Sequence, residues 1–101
     1  MASENLSSRE LPYSTEAEKA VLGGIMLKNE TWDIISDLVK EDDFHKEEHK
    51  LIYRTINNLQ DEGKPVDVIT VQEAIEGNGD LPKLINSGGK DYLTLLARET
   101  P

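Results

Sequence analysis

The sequence predicts an all-α domain, a compact bundle of five to six short helices. Apolar residues recur at three- and four-residue spacings through most of the chain from Pro12 onward, which is the period of amphipathic helices. Cap residues and glycines interrupt this pattern often, so the helices are short and the loops are tight. The one strand-like stretch, VDVIT at 66–70, is five residues long and has no second strand with which to pair.

Length, charge and cysteine usage restrict the function classes. The 101 residues suffice for one domain with a modest core, and 11 Lys+Arg against 20 Asp+Glu give a formal charge of -9. Because that charge repels phosphate backbones, we expect no direct DNA binding by this domain. The absence of cysteine excludes a disulfide or a thiolate metal site. No apolar run approaches the roughly 20 residues that span a bilayer, and no secretory signal is recognisable, so we expect a soluble intracellular chain without membrane contact.

The first helix follows a polar segment. Residues 1–11 are rich in serine and have no hydrophobic period, so we expect a disordered tail there and a helical domain over 12–101. Ser14 or Thr15 is the expected N-cap, and Thr15 with Glu18 forms a plausible capping box. The expected apolar face contains Ala17, Ala20, Val21, Gly24 and Ile25, widened by Leu22, Met26 and Leu27. We therefore expect this helix to be the most buried one.

Two adjacent glycines, Gly23 and Gly24, lie inside this first helix. Each costs about 1 kcal/mol relative to alanine, so some close approach should compensate. A ligand or a partner backbone could approach there. We favour a crossing by another helix of the same domain, because the flanking residues are apolar.

The second and third helices are predicted between Asn29 and Gly63. Asn29 caps the second helix, and Trp32 is expected to pack in the core. The acidic run 41–43 supplies the N-cap of the third helix, and Gly63 ends it as the C′ residue. The predicted inner residues are Trp32, Ile35 and Val39, with Ile34 and Leu38 adjacent, in the second helix, and His49, Ile52, Tyr53, Ile56 and Leu59 in the third.

The remaining elements are a fourth helix, a short turn and a last helix. Asp67 caps the fourth helix, which Gly77 and Gly79 close. The turn at 80–85 has Asp80 as its cap and Pro82 in its first turn. Gly88 and Gly89 form a break before a last helix from about Lys90. The predicted inner residues of the fourth helix are Val68, Val71 and Ile75, and the last helix holds Tyr92, Leu93, Leu95, Leu96 and Ala97.

A histidine pair provides the one catalytic pattern. His45, Glu48 and His49 match H-x-x-E-H, the pattern of inverted zinc proteases, so a small metal-dependent hydrolase is the alternative hypothesis. Its weakness is context, since a cap at Asp43 would place His45 in the first helical turn, where the helix dipole disfavours a cation. His49 shares the apolar face of the third helix and is expected to be half-buried, donating to a carboxylate or a backbone carbonyl.

Four stretches together resemble a known family. They are PYSTEAEKAVLGGIML (12–27), DDFHKEEHKLIY (42–53), GKPVDVITVQEAI (63–75) and GGKDYL (88–93). In order and rough spacing they resemble the N-terminal domain of bacterial replicative DNA helicases, the DnaB family. The resemblance covers nearly all of residues 11–101, and the chain is about two residues longer than the family pattern between Leu81 and Gly88. A histidine at position 45 is not part of that pattern, which weakens the zinc hypothesis.

The resemblance implies a non-catalytic domain of six or seven helices in a hexameric ring helicase of the bacterial cytoplasm. Such a domain forms a collar and docks the C-terminal domain of primase and, in some bacteria, a helicase loader. It implies no cofactor here, because ATP and magnesium belong to a separate ATPase domain. The ATPase domain, and a helical hairpin that makes the dimer interface, would both follow position 101. We therefore expect this fragment to be a monomer or to self-associate weakly.

Two residues that match the family motifs are the predicted partner contacts. Glu16 lies in the first helical turn off the apolar face and would contribute a charge. Its alternative role is to complement the helix dipole on a solvated surface. Tyr92 follows the Gly88-Gly89 break, so we expect it to be partly exposed and to act as an amphipathic anchor.

Overall fold

The structure, a computed structural model, describes residues 14–100 and contains five α-helices and three 3-10 helices over that range. The elements in order are α1 (Thr15–Leu27), a 3-10 helix at Asn29–Thr31, α2 (Trp32–Leu38), a 3-10 helix at Glu41–Asp43, α3 (Glu47–Asp61), α4 (Val68–Gly77), a 3-10 helix at Leu81–Ser87 and α5 (Asp91–Arg98). Between residues 14 and 100 there is no strand, and VDVIT leads into the first turn of α4. The all-α bundle is confirmed, whereas the predicted tail at 1–11 lies outside the described residues.

Helix α3 is the centre of the bundle, because α1 and α4 pack against it and both also contact α5. One side of α3 is buried along its length, and every inner residue predicted for it is at most 5% exposed. Those residues are His49, Ile52, Tyr53, Ile56 and Leu59. Val71 and Ile75 of α4 and Leu93 and Leu96 of α5 complete the core around it. The prediction that α1 would be the most buried helix is wrong, since α3 buries seven residues and α1 five.

The inner face of α1 is also rotated relative to the prediction. Ala17 and Ala20 are exposed, and the buried face contains Leu22, Ile25 and Met26 together with the charged residue Glu18. Two alanines bury too little apolar area to compete with larger side chains for the inner position. Glu18 on the buried face interrupts the hydrophobic pattern, which would otherwise have shown the orientation of α1.

Several helix ends follow the predicted chemistry. The Ser14 hydroxyl caps α1 by accepting from the Ala17 N–H at 3.0 Å. Asp67 and Thr70 form a reciprocal capping box at the start of α4, with bonds of 2.8 and 2.9 Å. Gly63, with φ of 72°, lies just beyond α3, as its predicted C′ role requires. The capping box predicted for Thr15 and Glu18 is wrong, because the Glu18 carboxylate points into the core.

The segment before α3 departs from the prediction. Residues 41–43 form their own 3-10 helix, and the Asp43 carboxylate accepts from the Lys40 N–H at 2.8 Å instead of capping α3. Phe44 then adopts an extended backbone and inserts its ring into the core, 5.0 Å from the ring of Tyr53. Burial of Phe44 therefore postpones α3 to Glu47, which leaves His45 outside the helix.

Helix α2 is attached to the bundle by one side only. Trp32, Ile35 and Val39 pack against the core, and the Trp32 ring lies 5.3 Å from that of Tyr53, which confirms its predicted packing role. No residue of α2 is fully buried. The helix is thus a surface element with a half-buried inner side.

The two mid-helix glycines have different surroundings. A Cβ on Gly23 would clash with the carbonyl oxygen of Leu96 and the hydroxyl of Thr100, so α5 crosses α1 closely at this point. A Cβ on Gly24 would meet nothing within 4 Å. The predicted helix crossing is therefore confirmed for Gly23 alone.

Replacing each glycine by alanine gives a matched pair. We expect Gly23→Ala to lower the free energy of unfolding by about 1–3 kcal/mol, the cost of overpacking a close contact. Gly24→Ala should raise it by up to about 1 kcal/mol, because alanine is the better helix former and space is available. Urea denaturation of both variants tests this. Equal stability of the two variants would contradict the close crossing at Gly23.

Candidate functional site

Three polar side chains from three helices form a hydrogen-bonded chain in the core. Glu18 of α1 lies 2.7 Å from Nδ1 of His49 of α3, through its Oε1 atom. Nε2 of His49 lies 2.6 Å from the hydroxyl of Tyr92 of α5. The exposed fractions are 8% for Glu18, 0% for His49 and 7% for Tyr92. A carboxylate, an imidazole and a phenol are thereby joined in a largely buried position.

The direction of each bond follows from the groups. An ionised carboxylate only accepts, so Nδ1 of His49 donates to Glu18. In the neutral ring Nε2 is then the acceptor, and the Tyr92 hydroxyl donates to it. Burial raises the pKa of Tyr92, which keeps the proton on this hydroxyl. The His49 and Tyr92 rings are nearly parallel, and their centroids lie 5.8 Å apart.

Glu18 also completes the start of α3. Its Oε2 atom accepts from the backbone N–H of His45 at 2.6 Å, and its Oε1 atom lies 3.4 Å from the N–H of Lys46. Lys46, the residue before α3, provides no side-chain cap of its own. A carboxylate from α1 therefore satisfies N–H groups at the N-terminal end of α3, where negative charge is favourable.

The zinc site of the alternative hypothesis does not form. His45 precedes α3 and is exposed, whereas His49 is fully buried with both ring nitrogens occupied. Glu48 is engaged elsewhere, because its Oε2 atom accepts from the Ser87 hydroxyl at 2.5 Å. Within residues 14–100 no group of three or more His, Cys, Asp or Glu side chains could hold a metal ion. This geometry contradicts the alternative hypothesis of a metal-dependent hydrolase.

The two predicted partner contacts lie in different environments. The Glu16 side chain is 84% exposed and lies 3.6 Å from Lys19, a loose surface pair. Tyr92 is 7% exposed, so its expected partial exposure is wrong. Its hydroxyl bonds to His49 and its ring fills the space between α5 and α3. A role for either residue in partner binding stays a prediction.

The surface carries a few large apolar side chains. Five of those in the described part of the chain are more than half exposed, namely Leu27, Ile34, Leu38, Ile69 and Ile85. Ile34 and Leu38 are four residues apart on α2. None of the described helices combines the length and apolar character needed to cross a membrane.

Glu18 is the residue of this site that sequence reasoning missed. The signal was its spacing from Leu22 and Ile25, at i+4 and i+7, which places it on the buried face. Because Glu18 is charged, sequence reasoning assigns it instead to a capping box with Thr15 at the start of the helix.

Comparisons with known proteins agree with this architecture. A family model, the DnaB-like helicase N terminal domain, matches residues 10–101. The replicative DNA helicase DnaB of Buchnera aphidicola subsp. Schizaphis graminum is 46% identical over 90 residues, which are 89% of this chain and 19% of that protein. The replicative DNA helicase DnaC of Bacillus subtilis is 40% identical over 96 residues, 95% of this chain and 20% of that protein. The chain thus spans about a fifth of the length of these relatives.

A solved structure supports the same relationship. The crystal structure of the N-terminal domain of DnaB helicase from Mycobacterium tuberculosis matches with a TM-score of 0.80 and 30% sequence identity. The match covers 87% of this chain and 61% of that chain. Fold and sequence therefore point to one family.

Removal of the Tyr92 hydroxyl tests the buried hydrogen-bonded chain. We expect Tyr92→Phe to lower the free energy of unfolding by about 1–3 kcal/mol, because Nε2 of His49 stays buried without a donor. Tyr53→Phe is the control, since its hydroxyl bonds to the carbonyl of Val39, a residue that is only partly buried. Urea denaturation compares the two. An unchanged stability of Tyr92→Phe alone would contradict the network.

The Ser87–Glu48 bond gives a prediction for pH dependence. Donation by the Ser87 hydroxyl lowers the pKa of Glu48 below its ordinary value of 4.5. Because the pKa of Glu48 is lower in the folded than in the unfolded state, its ionised form stabilises the fold at pH values above the ordinary pKa. This stabilisation is lost as the pH falls through the folded-state pKa. Ser87→Ala should raise the pKa of Glu48 and reduce this acid-dependent loss.

Carboxyl NMR titration of Glu48, with denaturation at neutral and acidic pH, measures both effects. Ser36→Ala is the matched control, because the Ser36 hydroxyl donates to the Asp33 carbonyl at 3.5 Å and not to Glu48. An equal Glu48 pKa in the two variants would contradict the assignment.

Proposed function

Because the chain belongs to the DnaB-like helicase N-terminal domain family, we propose that it is the non-catalytic docking and collar domain of a hexameric replicative DNA helicase. The partner is the C-terminal domain of primase, and a helicase loader is a second partner. The whole protein would unwind DNA in the bacterial cytoplasm, with ATP and magnesium held by an ATPase domain rather than by this one.

The match of residues 10–101 to the family model carries this proposal. The geometry supports a docking role, because the groups that resemble a catalytic set have other tasks. His49 and Glu18 hold three helices together, and Glu48 is bound by Ser87. Recognition therefore falls to exposed side chains on a surface whose excess of acids favours a basic partner.

Glu16 and Tyr92 have separate roles in the proposal. Glu16 is exposed and contributes a charge to the docking surface. Tyr92 is 7% exposed and lines a surface depression together with Asp91, Thr94 and Arg98. A partner side chain that enters this depression would contact the exposed part of Tyr92.

Titration calorimetry against the C-terminal domain of a bacterial primase tests the proposal. We expect saturable binding that weakens as salt rises, because acidic residues attract a basic partner. Glu16→Ala should lower the affinity by up to about fivefold, the effect of an exposed charge pair. Glu76→Ala is the control, an exposed glutamate on α4.

The outcomes separate clearly. Absence of saturable binding would refute the primase role. Binding that Glu16→Ala and Glu76→Ala reduce equally would refute the place of Glu16 in the interface while keeping the role of the domain.

A further inference from the structure

The solvent side of α2 is divided into an apolar and an acidic row. Ile34 is 66% exposed and Leu38 71%, and their spacing of four residues makes them neighbours on the helix surface. Asp33 and Asp37 are also exposed and four residues apart, so they form a second row beside the first. We call these four residues the α2 face.

The fold does not need the two aliphatic side chains of the α2 face. Helix α2 is held by its inner side, through Trp32, Ile35 and Val39. The other described large apolar residues that are more than half exposed lie on three different elements, and Ile69, for example, has Gln72 and Glu73 at its i+3 and i+4 positions. Two adjacent aliphatic side chains thus form a small apolar patch that a binding partner can cover.

The charge around the α2 face has one dominant sign. Residues 28–43 contain six acidic residues and two lysines, so this segment carries 2 − 6 = −4 of the formal charge of -9. The Lys40 ammonium is engaged by the Ser36 carbonyl at 2.6 Å, and Arg54 pairs with Glu41 at 3.0 Å. Within residues 14–100 no cation pairs with Asp33 or Asp37, so both carboxylates are available to a partner.

We propose that the α2 face docks a basic amphipathic helix of a protein partner. Ile34 and Leu38 would cover the apolar residues of that helix, and Asp33 and Asp37 would pair with its lysines or arginines. The inference rests on the proposed docking function and adds to it the place of docking and the chemical class of the partner segment.

The same charges argue against other occupants. A second copy of this chain would bring two segments of charge −4 against each other, which costs free energy. An anionic lipid surface and a nucleic acid carry the same sign as the α2 face and are repelled by it. A basic helix is the occupant whose charge and apolar spacing both complement it.

A synthetic peptide tests this directly. The probe is an amphipathic helix of about 18 leucine and lysine residues, with leucines at i, i+3, i+4 and i+7, titrated into the isotope-labelled domain. We expect saturable shifts of the Ile34 and Leu38 methyl signals. Ile34→Ser/Leu38→Ser should weaken binding at least tenfold, whereas the control Ile69→Ser/Ile85→Ser should not.

The acidic row has its own test. Asp33→Asn/Asp37→Asn should weaken binding several-fold and flatten its salt dependence, because two charge pairs are lost. Circular dichroism checks that each variant keeps its helix content. Three results would overturn the proposal: no saturable binding of the peptide, an equal loss of peptide affinity in both serine double variants, or equal binding of a peptide that has glutamate in place of lysine. Self-association in sedimentation that Ile34→Ser/Leu38→Ser abolishes would assign the face to a second copy instead.

The C-terminal domain of primase separates this inference from the proposed function. If that domain binds the unaltered chain and Ile34→Ser/Leu38→Ser equally well, the α2 face is wrong and the docking role stands. If the peptide binds the α2 face but the primase domain does not bind, the α2 face stands and the primase role is wrong.

Discussion

The structure depends on one buried polar connection, Glu18–His49–Tyr92. A carboxylate with 8% exposure is tolerated in a core because it accepts from His49 and from the backbone at the start of α3. Apolar packing alone is non-directional, whereas these bonds require α1, α3 and α5 to meet in one register. Loss of Tyr92 leaves Nε2 of His49 without its donor, and loss of Glu18 leaves Nδ1 without its acceptor, so the positions of the three helices are linked.

This connection explains why a catalytic-looking motif has no catalytic geometry. The two histidines of H-x-x-E-H lie on the two sides of a helix start, one exposed and one fully buried. Burial of Phe44 sets that helix start, and the Glu18 carboxylate completes it from α1. What remains for function is the exposed surface, which is acidic and carries an unpaired apolar row on α2. The proposed docking role rests on these properties.

Sequence reasoning was reliable where local chemistry decides and unreliable where a distant partner does. The inner residues of α3, the Asp67 cap and the Gly63 terminus were predictable, because period and cap chemistry act within one element. The orientation of α1 was not, since the partner of Glu18 is 31 residues away. The burial of Tyr92 was missed for the same reason, because its hydroxyl meets a histidine 43 residues earlier. No local pattern contains either contact.

The most direct test of the central claim is a long-range proton–nitrogen NMR spectrum of the histidine rings at neutral pH. The structure predicts that Nδ1 of His49 carries a proton, that this proton exchanges slowly with water, and that added zinc leaves the ring signals unchanged. A His49 ring with its proton on Nε2, rapid exchange of that proton, or signals that shift with stoichiometric zinc would contradict a purely structural role for the Glu18–His49–Tyr92 connection.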